Sequence, residues 1–198
     1  GLPQVPYLAI DGFQLEKEKE LNLILNSIKE ELGFPCFIKP ANLGSSVGIS
    51  KANNPNQLIK GLRNAAKFDQ RIVVEKSISA RELECGILGQ RNTLKASLVG
   101  EIKFDSEWYD YDTKYLDKKC DYIIPASISK DIEEQIKQIS IYACQALAIY
   151  GIARVDFFYD ESSNKIWINE VNTLPGFTDK SMYPSLWKAS GFTLEQLV

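Results

Sequence analysis

Histidine is absent from all 198 residues. The side chain that most readily moves protons near neutral pH is therefore missing, and with it the commonest zinc ligand. Any catalysis must rest on carboxylates, Lys, Arg, Tyr, Ser or backbone groups. Any metal site would be built from oxygen, which favours Mg²⁺, Mn²⁺ or Ca²⁺. Cysteine is scarce: the four stand at 36, 85, 120 and 144, with no C-x-x-C. Such wide spacing argues against a disulfide framework and for a reducing, cytoplasmic setting. An excess of charge is lacking too. With 23 basic and 26 acidic residues the net charge is -3, so neither nucleic acid nor an anionic membrane is expected as partner. No apolar run approaches membrane-spanning length, and no signal peptide, internal repeat or low-complexity segment is visible.

What remains is an ordinary globular composition, 44% hydrophobic and 25% charged, at a length that suits one large or two small domains. "PYLAI" reads as a strand. Leu21, Leu25, Ile28 and Leu32 recur at helical spacing and predict a helix over 16–32, stopped by Gly33 and Pro35. "PCFIKP" is an apolar strand, "ANLGSSVG" a loop of small residues and "ISKAN" a returning strand. Pro55 opens a helix to about Phe68, capped by Asn54. "RIVVEK", "ELECGILG" and "TLKASLVGEI" are strands, the last two joined by a turn at "QRN". Residues 104–123 lack periodicity and read as a long ordered loop. A helix from Ser129 or Lys130 to about Tyr150 buries Ile132, Ile136, Ile139, Ala143, Leu147 and Tyr150, and Gly151 ends it. "IARVDFFYD" and "KIWINEVN" form a hairpin through "ESSN", and a short helix follows near 183–190. Hairpin-paired strands with helices between them predict an α+β architecture rather than a regular βαβ winding.

Chemistry concentrates in a few places. Side chains alternate along a strand, so Arg154 and Asp156 share one face, as do Glu170 and Asn172. The bland reading is a solvated salt-bridge ladder. Against it, Ile168 is placed on the face of Glu170, which would leave that face only partly solvated; polar groups among apolar ones need partners or a metal. Asp, Glu and Asn are hard oxygen ligands suited to Mg²⁺. Lys39 closes an apolar strand before a Gly-Ser-Ser-Val-Gly loop, a setting in which backbone N–H groups and a point charge can approach phosphate. It fits neither of the common Gly-rich phosphate-binding patterns and is equally readable as a plain hairpin loop. Glu75 and Glu82 flank Lys76 in what is otherwise a polar hinge, and "WYDYDTKY" reads as a recognition loop.

Taken in order, Lys39-Pro40, Gly44-Ser45-Ser46-Val47-Gly48, Glu75-Lys76 with Glu82, "YDYDTKY", "ARVDFF" and "NEVNTLPGFT" running into "SMYP" resemble the D-alanine–D-alanine ligases of the ATP-grasp superfamily. The likeness covers nearly the whole chain. It implies two α+β subdomains, 1–78 and 79–198, with mainly antiparallel sheets enclosing ATP between them. It implies that Lys39, Glu75, Lys76, Ile78, Glu82 and Lys114 contact ATP. Asp156, Glu170 and Asn172 would hold two Mg²⁺ or Mn²⁺ ions, with Glu170 bridging. Arg154 and the Gly176 N–H would stabilise an oxyanion, Ser181 and Met182 would hold the second substrate's carboxylate, and Ser45 and Tyr115 would join a lid. The implied reaction is ATP-dependent joining of two D-alanines through a D-alanyl phosphate, for peptidoglycan precursors. Partners are then ATP and D-alanine, and the resemblance is compatible with a homodimer. Tyrosine rather than histidine in the 109–115 loop favours an amine, D-alanine or D-serine, as second substrate. The family's N-terminal domain and a further ATP-contacting lysine are not in this chain, and its last helix reads as cut short, so the chain is expected to be the ATP-grasp portion of a longer enzyme. The rival readings are another ATP-grasp carboxylate ligase and a non-catalytic nucleotide-binding module.

Overall fold

A computed structural model describes residues 1–44, 47–104 and 120–197. These form two compact units, one of residues 5–78 and one of residues 1–4, 79–104 and 120–197. Each has its own antiparallel sheet and its own apolar core, and the α+β expectation holds. Among the described residues no helix is long and apolar enough to cross a membrane.

The first unit carries strands β1 (Tyr7–Asp11), β2 (Cys36–Pro40), β3 (Ser50–Ala52) and β4 (Arg71–Lys76) in the order β1-β4-β2-β3. Helices α1 (Glu18–Glu31) and α2 (Pro55–Ala65) complete it. Ile28, Leu58 and Leu62 pack against Ile38, Ile72 and Val74, giving the sheet one buried face. Alternation then sends Phe37, Lys39, Lys51 and Glu75 to the other face. The Asn54 side chain caps α2 by accepting from the Gln57 N–H, as expected. That helix stops at Ala65, short of the predicted Phe68, which is half exposed. In α1 the buried stripe is Leu21, Ile24 and Ile28, with Leu25 only partly covered.

The second unit orders its strands β7-β6-β5-β8-β9, where β5 is Arg81–Gly89, β6 Lys95–Phe104, β7 Cys120–Ile123, β8 Gly151–Asp160 and β9 Lys165–Asn172. β7 corrects the reading of 104–123 as loop throughout. Its polar, aromatic sequence shows no alternation, yet it pairs with the end of β6. Helix α3 (Lys130–Ala146) lays Ile132, Ile136, Ala143 and Cys144 on Leu83, Cys85, Val155 and Phe157. It ends before Tyr150: Ala148 turns the chain at φ 54°, and Ile149 N–H bonds back to the Cys144 carbonyl. Leu147 and Tyr150 are therefore exposed rather than part of the buried stripe, and Gly151 begins β8 instead of ending the helix.

Helix α4 (Met182–Ala189) packs on the opposite face of this sheet. Two glycines make room. A Cβ on Gly86 would come within 2.8 Å of Trp187 Nε1, and one on Gly100 within 2.9 Å of Leu186 Cδ2 and 3.0 Å of Met182 Sδ. The Tyr183 hydroxyl, buried beside them, donates to the Ile87 carbonyl at 2.9 Å. Gly86→Val should lower stability by about 1–3 kcal/mol through overpacking, read as a fall of roughly 3–10 °C in melting temperature. An unchanged melting temperature would show that α4 does not need this close approach.

Candidate active site

α4 covers only part of its face. Register fills the rest with charge. β5 sets Glu84 opposite Asp156 on β8, and β9 sets Glu170 opposite the same Asp156. Three carboxylates thus stand in one row across three neighbouring strands. One row along, Gly86 faces Arg154 and Arg154 faces Asn172. Like charges directly opposed in a sheet destabilise it, so the row needs cations.

Arg154 supplies the first. It donates from Nε to Asp156 Oδ1 at 2.7 Å and from an η nitrogen to Asp156 Oδ2 at 2.8 Å. Its Nε also lies 2.9 Å from Glu84 Oε2. That second contact is an ion pair without an aligned hydrogen, because the one Nε–H is already given to Asp156; among the described residues Glu84 Oε2 has no hydrogen-bond donor. The Asn172 amide nitrogen bridges the other two carboxylates, donating to Asp156 Oδ2 at 2.9 Å and Glu170 Oε1 at 3.1 Å. Glu84 is 5% exposed and Asp156 8%, while Glu170 is exposed.

A bulge aims Glu170. Asp156 pairs with Glu170 but Phe157 pairs with Ile168, so Asn169 is an extra residue in β9. The bulge overturns the placement of Ile168 on Glu170's face. Ile168 packs into the core with Phe157, while Glu170 turns to the charged face. Without the extra residue, simple alternation would put both on one side.

Burial governs the electrostatics. Desolvation, reinforced by the field of Asp156, pushes the Glu84 carboxyl up to about 8. Desolvation also raises Asp156 to about 6, against the opposing hydrogen bond and charge of Arg154. Burial works against the Arg154 charge too, but the hydrogen bonds to Asp156 and the field of the surrounding carboxylates outweigh it, and the guanidinium stays protonated. With all groups ionised, three carboxylates against one guanidinium leave two net negative charges. Among the described residues no three His, Cys, Asp or Glu side chains are disposed to hold a metal as they stand; both Asp156 oxygens are engaged by Arg154. The donor set nonetheless suits a hard divalent cation. It is all oxygen once the Asn172 amide turns over, and it carries uncompensated negative charge.

The remaining expected residues fall as follows. Glu82 lies two residues before Glu84 on the same face, opposite Phe158. Ser181 precedes α4, and its Oγ accepts from the Thr178 N–H at 3.1 Å. That Oγ lies 3.0 Å from where a Gly176 Cβ would be, so Gly176 lets the two approach. The Met182 side chain is buried against Gly100, which leaves its backbone N–H in the first turn of α4 as the group able to meet an anion. In the other unit the Lys39 ammonium sits 2.6 Å from Glu75 Oε2 on the sheet face opposite α1 and α2, both side chains largely covered. Lys76 is exposed and Ile78 half-buried. Ser45, Lys114 and Tyr115 lie outside the described residues. Sequence reading missed Glu84, although the Glu-Leu-Glu spacing of 82–84 already put both acids on one face. It also passed over Lys51, which shares with Lys39 the sheet face opposite α1 and α2.

Two antiparallel α+β units, one bearing an acidic row clamped by arginine, define an ATP-grasp type of chain. The chain belongs to the family described as D-ala D-ala ligase C-terminus, whose model matches residues 1–198. It is 56% identical over its full length to the D-alanine--D-alanine ligase of Prochlorococcus marinus (strain MIT 9303) and 57% identical to that of Parasynechococcus marenigrum (strain WH8102). It spans about half of those relatives, 56% of each. Among solved structures it is similar to the VanG D-Ala:D-Ser ligase from Enterococcus faecalis, with TM-score 0.86 at 34% identity, covering all of this chain and 55% of that one. It is also similar to the D-alanine-D-alanine ligase from Coxiella burnetii, with TM-score 0.79 at 32% identity, covering all of this chain and 50% of that one.

Stability without divalent cations should depend on pH through this row. The Glu84 carboxyl titrates near 4.5 when unfolded and near 8 when folded. Between those values the folded chain holds a proton that the unfolded chain has released, so stability falls as pH rises across that window. In EDTA, melting temperature should fall from pH 5 to pH 8, and Glu84→Gln should flatten the fall. Identical pH profiles for the two proteins would contradict the buried-carboxyl assignment.

Proposed function

We propose that the chain is the ATP-handling portion of a longer ligase that joins two D-alanines at the expense of ATP. The observation that carries the reading is the Glu84–Asp156–Glu170 row with Arg154 set into it. An acidic, mostly buried cluster beside a fixed guanidinium suits a reaction in which phosphoryl charge is neutralised by cations and an oxyanion develops nearby.

Asp156, Glu170 and Asn172 would hold two Mg²⁺ or Mn²⁺ ions, with Glu170 between them. Bound there, the ions would neutralise the transferring phosphoryl group. Lys39, Glu75, Lys76, Ile78 and Glu82 would contact the nucleotide, with Lys114 reaching the γ-phosphate. The carboxylate of the first D-alanine takes the γ-phosphoryl group, releasing ADP and forming an acyl phosphate. The amine of the second attacks that carbonyl, the C–N bond forms, the C–O bond to phosphate breaks, and inorganic phosphate leaves with the electron pair. Activation is needed because a carboxylate has only oxide or hydroxide to expel. Arg154 and the Gly176 N–H would hold the oxyanion formed on attack, and the α4 N-terminus at Ser181 and Met182 would seat the second carboxylate. Ser45 and Tyr115 would join a lid that keeps water from the acyl phosphate. Histidine is not required, since positioning and charge neutralisation do the work.

D-Serine as second substrate is a specific alternative, because the similar Enterococcus faecalis protein is a D-Ala:D-Ser ligase. The buried thiols of Cys36, Cys85 and Cys144 suit a reducing cytoplasm. A homodimer is part of the same proposal.

In the full-length protein, Glu170→Gln should cut D-alanine-driven ADP release by a factor on the order of 100–1,000. Retained turnover would sink the cation assignment. A substrate panel separates the rivals: ADP release with another acid–amine pair but not with D-alanine would point to a different ATP-grasp ligase. ATP binding without turnover on any pair would point to a nucleotide-binding module.

A further inference from the structure

The reading above gives Glu84 no ligand to hold, yet it is the most buried carboxylate of the row. Buried polar atoms nearly always have partners, and one that lacks a donor calls for an explanation. Among the described residues the Glu84 Oε2 atom has no donor, while it lies 2.9 Å from Arg154 Nε. Nε carries a single hydrogen, and Asp156 has it, at 2.7 Å, so Glu84 Oε2 stands beside it unserved.

This matters because Asp156 has a second use. A carboxylate that coordinates a divalent cation gives up lone pairs and charge to it, which weakens both hydrogen bonds that anchor Arg154. A nearby cation also repels the guanidinium. Glu84 stands within reach of Nε without moving, on the strand adjoining that of Arg154. Gly100, its neighbour across β6, carries no side chain that could satisfy it instead.

We propose that Glu84 is a positioning residue for Arg154: when Asp156 takes up a divalent cation, the Arg154 Nε–H passes to Glu84 Oε2, which keeps the guanidinium aimed at the reacting carbonyl. The role rests on the ligase reading for its catalytic consequence but not for the handover itself. Glu84 touches neither substrate nor phosphate in this scheme. The competing roles are a further cation ligand and a purely structural counter-ion.

Two measurements on the full-length protein test it. The first is a double-mutant cycle with Glu84→Gln and Arg154→Ala. Glu84→Gln alone should lower kcat about 10–100-fold, the usual scale for a residue that orients another, with the KM values for ATP and D-alanine little changed. In the Arg154→Ala background it should cost nothing further. An undiminished loss in that background overturns the proposal. So does recovery of kcat at high Mg²⁺, which would make Glu84 a cation ligand. The second follows the Arg154 Nε–H resonance by NMR, assigned by its loss in Arg154→Lys, as Mg²⁺ is added with a nonhydrolysable ATP analogue. In the parent protein the resonance should shift and stay protected from solvent exchange. In Glu84→Gln it should lose protection on Mg²⁺ addition only. Equal protection in both proteins overturns the handover. Should Glu84→Gln not fold, Glu84→Asp, which keeps the charge but withdraws it by one methylene, takes its place with the same expected loss of protection. If the parent protein releases no ADP with D-alanine, the ligase reading fails by itself, and the NMR result still decides for or against Glu84.

Discussion

Three carboxylates aligned across β5, β8 and β9, with one guanidinium set among them, form the constraint on which the second unit is organised. Glu84, Asp156 and Glu170 oppose one another directly, an arrangement that sheets disfavour. It persists because Arg154 binds Asp156 through two hydrogen bonds and Asn172 bridges Asp156 to Glu170. Everything around the row keeps it in place. α3 and the core lock the far side of the sheet. α4 lies on the near side only because Gly86 and Gly100 have no side chains to block it. The Asn169 bulge turns Glu170 toward the row while leaving Ile168 in the core.

Such a cluster is unstable as an isolated object and useful as a receptor. Its uncompensated negative charge is what divalent cations would neutralise, and cations held there could in turn offset the charge of a phosphoryl group. The first unit has a charged sheet face of its own: Lys39 and Lys51 lie on the side away from its two helices, with Glu75 as the partner of Lys39. The absence of histidine does not conflict with the proposed phosphoryl and acyl transfer, because such chemistry depends on placing fixed charges rather than on moving protons through a side chain tuned to neutral pH.

Much of this was readable from the residues alone. Period-2 alternation placed Arg154 with Asp156 and Glu170 with Asn172, and cap and breaker residues such as Asn54 and Gly33 marked helix ends correctly. What escaped has a common cause: it depends on pairing rather than on local pattern. A bulge exists only relative to a partner strand, so no window of β9 could show that Asn169 separates Ile168 from Glu170. β7 has no alternation of its own and is a strand because the end of β6 pairs with it. Ala148 gave no warning as a helix terminator, since alanine rarely adopts positive φ, and Leu147 and Tyr150 were misassigned to the buried stripe as a result. Glu84 was different: its face was legible, but its burial and its closeness to Arg154 were not.

The central claim is that the row is a divalent-cation site in a phosphoryl-transfer centre. Anomalous diffraction from crystals of the full-length protein grown with Mn²⁺ and a nonhydrolysable ATP analogue tests it most directly. The account predicts manganese peaks within about 2.3 Å of Asp156 and Glu170 oxygens, the range for hard oxygen ligands, with Asn172 turned to present its oxygen. Manganese bound only elsewhere, with Arg154 still holding both Asp156 oxygens, would contradict it.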